Sequence, residues 1–342
     1  MGNMGAGKKM SLVLAGVAAG AMVRAAVRHR RAIDLHGKVV LITGGSRGLG
    51  FAMAEEFAWE GARALVICAR NQEGLDRASA ELSRQGPEVV AVRCDVSDRA
   101  QVAFMIEEAT RRFGGIDVLV NNAGIISVGP VEEQRFEDFE EAMNVMFWGV
   151  VNATLMVLPQ MIERGDGHIV NITSIGARFP MPHLLAYESA KFAAVGFSEG
   201  LRAEVARHGI HVLTVCPGLM RTGSYLNAYF KGKHREEFSW FSLGSTLPLV
   251  SIDGRRAAAK IVRALRTGVS DLVITPQAKL AAAAHGVAPG LVSEALGIVA
   301  RLLPDAGGAG PRRFTGKESE TAVSRSFLTT LGREAAEDLL QV

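Results

Sequence analysis

VVLITGGSRGLG, residues Val39 to Gly50, is the stretch that decides the fold. Val39 to Ile42 are apolar without interruption, so they read as a strand buried on both faces; a strand with one wet face would alternate with polar residues. The run continues into Thr43, Gly44, Ser46, Arg47, Gly48, Leu49 and Gly50, a glycine-rich turn that opens a helix. Strand, glycine turn and helix in that order make a cradle for a pyrophosphate. The glycines let the backbone turn tightly and come close to a ligand, and the helix N-terminus offers unpaired N–H groups. A structural turn with no ligand competes with that reading, and the rest of the chain decides between them.

Working outward, further apolar runs lie at Ala64–Cys68, Val89–Cys94, Ile116–Val120, His168–Ile172, Ile210–Val215 and Leu272–Ile274. Amphipathic stretches separate them, among them Ala52–Glu60, Gln101–Phe113 and Phe136–Met161. Alternation at this spacing means βαβ units. The fold class is α/β, a Rossmann-type doubly wound parallel sheet in one main domain over residues 37–276. Residues 1–36 form a basic and apolar N-terminal segment. Residues 277–342 form a helical C-terminal extension, in which the Gly- and Pro-rich stretch 304–316 reads as a linker or surface loop.

About 20 residues past the glycine turn, an acid would bond the free ribose 2′-hydroxyl of NAD. The second strand instead ends Cys68-Ala69-Arg70. Arg70, with Arg47 from the glycine turn, suits a 2′-phosphate through charge-assisted hydrogen bonds, so NADP(H) is expected in preference to NAD(H). Further on, Tyr187 and Lys191 are four apart and share one helical face. An ammonium beside a phenol stabilises the phenolate, which would bring a tyrosine of ordinary pKa near ~10 into use as a general acid or base.

Thr43 to Gly50, Asp95-Val96, Asn121-Asn122-Ala123-Gly124, Asn144, Ser174, Tyr187, Lys191, and Pro217-Gly218 with Thr222 occur in this order. Together they resemble the short-chain dehydrogenase/reductase family over roughly Leu35 to Thr275, and jointly they are highly specific. The resemblance implies seven strands in the order 3-2-1-4-5-6-7 and a homo-oligomer, dimer or tetramer. It implies that Asp95, with Val96, contacts the adenine, that Asn122, Ala123 and Gly124 support the sheet beside the cofactor, and that Pro217, Gly218 and Thr222 lie at the nicotinamide, Thr222 holding its carboxamide. In the same reading Tyr187 gives the proton, Ser174 polarises the carbonyl, Lys191 lowers the tyrosine pKa and grips the nicotinamide ribose, and Asn144 holds a water linking Lys191 to solvent. The expected activity is that of a ketoreductase, an NADP(H)-dependent oxidoreductase acting on a carbonyl/alcohol pair. An epimerase or dehydratase on nucleotide sugars, and a non-catalytic dinucleotide-binding protein, are the competing readings.

Ile175, Phe179, Pro180, Met181, Leu184 and Leu185 after Ser174, and Tyr225, Leu226, Tyr229 and Phe230 after Thr222, are apolar or aromatic. In this family such segments line the substrate pocket, which favours a bulky or lipid-like carbonyl compound; core packing is the alternative. Leu291, Ala295, Ile298, Val299 and Leu302 fall on one helical face, a stripe read as core packing ahead of a membrane or subunit contact.

The 342 residues, 48% of them hydrophobic, suffice for a large core. The formal charge of +3 is uneven: six basic residues against Asp34 give residues 1–36 a net +5, leaving −2 for the remainder. A near-neutral body gives no footprint for nucleic acid. Cys68, Cys94 and Cys216 share no C-x-x-C spacing and read as reduced core residues of a cytoplasmic interior. The eight histidines form no metal-ligand pattern, so no metal is expected. At the N-terminus, Lys8-Lys9 precede the apolar run Met10–Val23, and Arg24, Arg28, Arg30 and Arg31 follow. That run is shorter than the roughly 20 residues that span a bilayer. A secretory signal ending near Ala19-Gly20-Ala21, an anchor on an anionic membrane surface through residues 8–31, and a packed helix compete for it.

Overall fold

The computed structural model describes residues 19–342 apart from 249, 323, 325, 327 and 328. Seven strands form a single parallel sheet: β1 (Val39–Thr43), β2 (Ala64–Ala69), β3 (Glu88–Arg93), β4 (Val118–Asn121), β5 (Gly167–Ile172), β6 (Ile210–Cys216) and β7 (Asp271–Val273). Their order is β3-β2-β1-β4-β5-β6-β7. The chain winds outward from β1 to β3, returns to the centre and winds the other way from β4. The sheet therefore reverses between β1 and β4, which pair with Val40 opposite Val118 and Leu41 opposite Leu119. A crevice opens at the carboxyl ends of strands where a sheet reverses.

Side chains alternate across each strand, and β1 shows both cores. Val40 and Ile42 face the helices Gly48–Trp59, Gln72–Ser83 and Gly254–Arg266 through Phe51, Phe57, Leu75, Ile261 and Leu265. Val39 and Leu41 face the helices Arg99–Phe113, Phe136–Arg164 and Leu185–Val205 through Met105, Val157 and Leu201. The Phe136–Arg164 helix is long and apolar enough to cross a membrane, but more than half of its apolar window is buried against the rest of the fold. It carries a π turn at Asn144–Trp148.

The C-terminal extension is docked on the main domain. Phe314–Thr315 pairs antiparallel with Tyr229–Phe230, which pairs parallel with Ser127–Val128. Arg313 donates to Asp138 at 2.6 and 2.9 Å, and Lys231, itself buried, also reaches Asp138. The Gly307 N–H donates to Glu133 at 2.7 Å. Residues 304–316 are therefore held at both ends, a surface loop and not a linker between separate units. For the apolar stripe on the helix Pro289–Ala300, core packing is the reading that is corrected. Leu291 and Ile298, with Leu302 just beyond, face solvent at 70%, 64% and 81% exposure, and the helix buries Leu296 instead. Helical spacing tells which residues share a face, not whether anything covers it.

Residues 19–31 are helical, with Met22 and Val23 exposed. The end of this helix is tied down: Arg28 Nε donates to the Thr267 carbonyl at 3.3 Å and Arg31 to the Ser270 hydroxyl at 2.7 Å. Lys8, Lys9 and residues 10–18 lie outside the described residues.

Candidate active site

The crevice at the sheet reversal is a cavity of about 720 Å³. Its base is the glycine turn, and its shape depends on missing side chains. Gly44 has φ +67°, and a Cβ there would stand 3.0 Å from the Ala123 Cα. On Gly50, a Cβ would collide with the Gly44 carbonyl. Thr43 Oγ1 accepts the N–H groups of Asn122 (2.9 Å) and Ala123 (3.1 Å), while Asn122 Nδ2 donates to the carbonyls of Thr43 (3.1 Å) and Gly44 (3.0 Å). The segment after β4 is thus laced to the turn after β1.

Gly44, Ser46, Arg47, Leu49, Arg70, Asp95, Val96, Asn122, Ala123, Gly124, Tyr187, Lys191 and Thr222, all singled out from the sequence, line this cavity. Thr43, Gly48 and Gly50 lie behind the lining and shape it. Arg77 lines it too, from the helix Gln72–Ser83. Burial first, then Arg70 and more weakly Arg77, pull the Arg47 guanidinium below its ordinary pKa, although Tyr229 acts in the opposite sense. Three guanidinium groups therefore gather at one end of the cavity. Pro217 and Gly218 stand outside its lining: the Pro217 carbonyl accepts the Ile175 N–H at 2.8 Å, and a Cβ on Gly218 would be 2.7 Å from Thr275 Oγ1.

At the other end Lys191, 5% exposed, donates from Nζ to the Ile172 carbonyl at 2.9 Å and lies 5.9 Å from the centre of the Tyr187 ring. Ser174 acts on Tyr187 in the sense that lowers its pKa, and its Oγ accepts the Gly176 N–H at 3.0 Å. The expectation that Lys191 lowers the tyrosine pKa needs correcting for the ligand-free fold. Burial pushes Tyr187 up to about 12, despite the opposing effect of Ser174. Burial also brings Lys191 down to about 8, because a low-dielectric site penalises the charged form of each.

The structure does not bring Asn144 to this group. Asn144 is exposed, at the start of the π turn, and Met146 is buried instead. A Cβ on Gly124 would lie 3.6 Å from Met146 Sδ and 3.7 Å from Lys191 Nζ. Two positions along a helix point to opposite sides, so Asn144 and Met146 cannot both face the site. Gly149 was the available signal: a Cβ there would meet Val96 at 2.7 Å, which fixes the face turned inward three residues after Met146. Among the residues expected to line the substrate pocket, Tyr225, Leu226 and Phe230 are sealed in a core with Phe238 and Phe241. Ile125, Ile126, Val145 and Met220, not anticipated, line the cavity.

Residues 38–229 match the short chain dehydrogenase family model. An oxidoreductase of Mycobacterium tuberculosis named SadH is 37% identical over 249 residues, 72% of this chain and 89% of that protein. A short-chain dehydrogenase from Streptomyces avermitilis superposes with a TM-score of 0.66 at 33% identity, over 78% of this chain and 98% of its own. L-sorbose reductase from Gluconobacter frateurii, solved with NADPH and L-sorbose, superposes with a TM-score of 0.63 at 29% identity, over 71% and 97%. The chain belongs to the short-chain dehydrogenase/reductase family and is an oxidoreductase. The family uses nicotinamide dinucleotides. The glycine cradle that a Cβ would fill, and the guanidinium cluster beside it, fit such a group.

Glu188, next to the catalytic tyrosine candidate, is 3% exposed and accepts the Met181 N–H at 2.7 Å, tying the loop after Ser174 to the Tyr187 helix. Burial raises its pKa from 4.5 to about 8, so the folded protein binds this proton more tightly than the unfolded chain. The resulting stability is complete below about pH 4.5 and is lost as pH rises to about 8. Glu188→Gln keeps an accepting oxygen and does not titrate. Its melting temperature relative to wild type should therefore rise steadily between pH 5 and 8; a difference constant with pH contradicts this.

Proposed function

We propose that this oxidoreductase transfers hydride between NADP(H) and a carbonyl/secondary alcohol pair, with Tyr187 as the proton donor in reduction. The observation that carries it is Tyr187 beside Lys191, whose Nζ lies 5.9 Å from the centre of the tyrosine ring, in a cavity whose other end is the glycine turn. The bound nicotinamide supplies or accepts the hydride. Negative charge then grows on the carbonyl oxygen, and donors waiting at that oxygen lower the barrier because they meet charge found mainly in the transition state. A phenol with a pKa of about 12 is fully protonated at neutral pH and keeps its proton until that charge develops. Ser174 polarises the carbonyl and acts on the phenol in the sense that lowers its pKa, and the Lys191 ammonium favours the phenolate that proton transfer leaves behind.

A 2′-phosphate is supported by Arg47, Arg70 and Arg77 on one cavity wall. An apolar substrate is supported by Ile125, Ile126, Val145 and Met220. Attachment of a cytoplasmic protein to an anionic membrane surface is supported by exposed Met22 and Val23 beside Arg24, Arg28 and Arg30.

Tyr187→Phe keeps the ring and removes the proton, so NADPH should still bind while turnover of a carbonyl panel falls about 10²-fold or more. In the wild type, kcat/KM for reduction should decline as pH rises past about 8, where Lys191 in the free enzyme loses its charge. A Tyr187→Phe enzyme of near-normal turnover would remove Tyr187 from the mechanism.

Hydrogen bonds to charged groups contribute roughly 1.5–3 kcal/mol, so Arg70→Ala should lower the NADPH-over-NADH ratio of kcat/KM by about 10-fold or more. Ala69→Asp added to it should lower the ratio further, since a carboxylate repels the phosphate and accepts from a free 2′-hydroxyl. A wild type that prefers NADH would show these arginines to be surface charges. Deleting residues 1–27, which spares the tethered Arg28 and Arg31 and the buried Leu35, should move the protein from the membrane to the soluble fraction with activity intact; a full-length protein already wholly soluble in lysate contradicts attachment.

A further inference from the structure

Leu340, Gln341 and Val342, at the far end of the extension, line the same cavity as Gly44, Arg47 and Arg77. We propose that residues 339–342 are a fixed wall of the dinucleotide cleft, a clamp that retains the cofactor once bound. The inference rests on the cofactor reading above and assigns a role to the extension that follows the family-like body.

The segment is fastened to the groups that would surround the cofactor. The Gly48 N–H, in the glycine turn, donates to the Leu339 carbonyl at 2.7 Å. Asn227 Nδ2 donates to both the backbone carbonyl (3.0 Å) and Oε1 (2.7 Å) of Gln341, while Asn227 Oδ1 accepts from Arg47 at 2.9 Å. One asparagine thus bridges the arginine of the glycine turn to the tail. Arg77 donates to the Val342 carbonyl at 3.3 Å. Gly48 serves this junction too: its φ is +59°, and a Cβ there would collide with Gln341 Nε2.

Two features make the segment a wall and not a plug that must leave. Leu339 is 2% exposed and belongs to the core cluster that covers one face of the sheet, so withdrawing the tail would tear a core residue out. Leu340 sits at φ +57°, a left-handed conformation that a leucine keeps only where its surroundings dictate it. With the tail in place the cavity still measures about 720 Å³, within the range of ligand sites.

The test is NADPH binding, read by fluorescence titration and by the off-rate on mixing with a competitor, in wild type, in a chain lacking residues 340–342, and in full-length Asn227→Ala. The deletion leaves Leu339 in the core, and a thermal melt checks that both variants are folded. Weakening of about 10-fold or more in the deletion, and several-fold in Asn227→Ala, both carried by a faster off-rate, is the expected result. A folded deletion variant that binds NADPH as tightly as wild type overturns the clamp, and one that binds more tightly makes the tail a competitor. Should the deletion variant fail to fold, Asn227→Ala decides alone, and unchanged affinity there overturns the proposal. If wild type binds neither NADPH nor NADH, the cofactor reading falls, and this inference with it.

Discussion

The site depends on one contact, the backbone of Gly50 lying against the carbonyl of Gly44. No side chain larger than hydrogen fits there: a Cβ would strike that carbonyl and approach Asn122 Nδ2 at 2.6 Å. Because the contact is that close, the helix Gly48–Trp59 begins directly beneath the end of β1. The amide of Asn122 can then reach the carbonyls of Thr43 and Gly44, and the hydroxyl of Thr43 can reach the next segment in return. β1 and β4 are locked together at the point where the sheet reverses, and the cavity takes its form from that lock.

Electrostatics divide the cavity into two ends. At one, burial first and then the charges of Arg70 and Arg77 lower the pKa of the Arg47 guanidinium. That repulsion is relieved by an anion. At the other, burial drives Tyr187, Glu188 and Lys191 toward their neutral forms, all within five positions of one helix. Burial that penalises charge suits a step in which charge appears only transiently, because donors already in place need no reorganisation to meet it. Met146 beside this group is buried and brings no amide or hydroxyl toward Lys191.

Much of this was legible in the residues. The strands and the glycine cradle followed from uninterrupted apolar runs and from glycines at fixed offsets, which are local signals; the sheet order followed only from the family resemblance. The pairing of Tyr187 with Lys191 followed from helical spacing. Asn144 was misplaced because a residue type and an approximate register do not fix a helical face where a π turn intervenes. Tyr225, Leu226 and Phe230 looked like pocket lining because an apolar segment reads the same whether it borders a cavity or a core. The tail over the glycine turn was invisible for a different reason. Asn227 and Gln341 are 114 positions apart, and nothing in either segment announces the other.

The central claim is that NADPH gives hydride to a carbonyl carbon in this cavity. The most direct test follows the label from NADPH deuterated at the transferable nicotinamide position, with a panel of carbonyl compounds and wild-type enzyme. Consumption of NADPH and an alcohol product carrying deuterium on the former carbonyl carbon are expected. Failure to consume NADPH with every compound, or an unlabelled product formed while the cofactor is regenerated as in an epimerase or dehydratase, would contradict that claim.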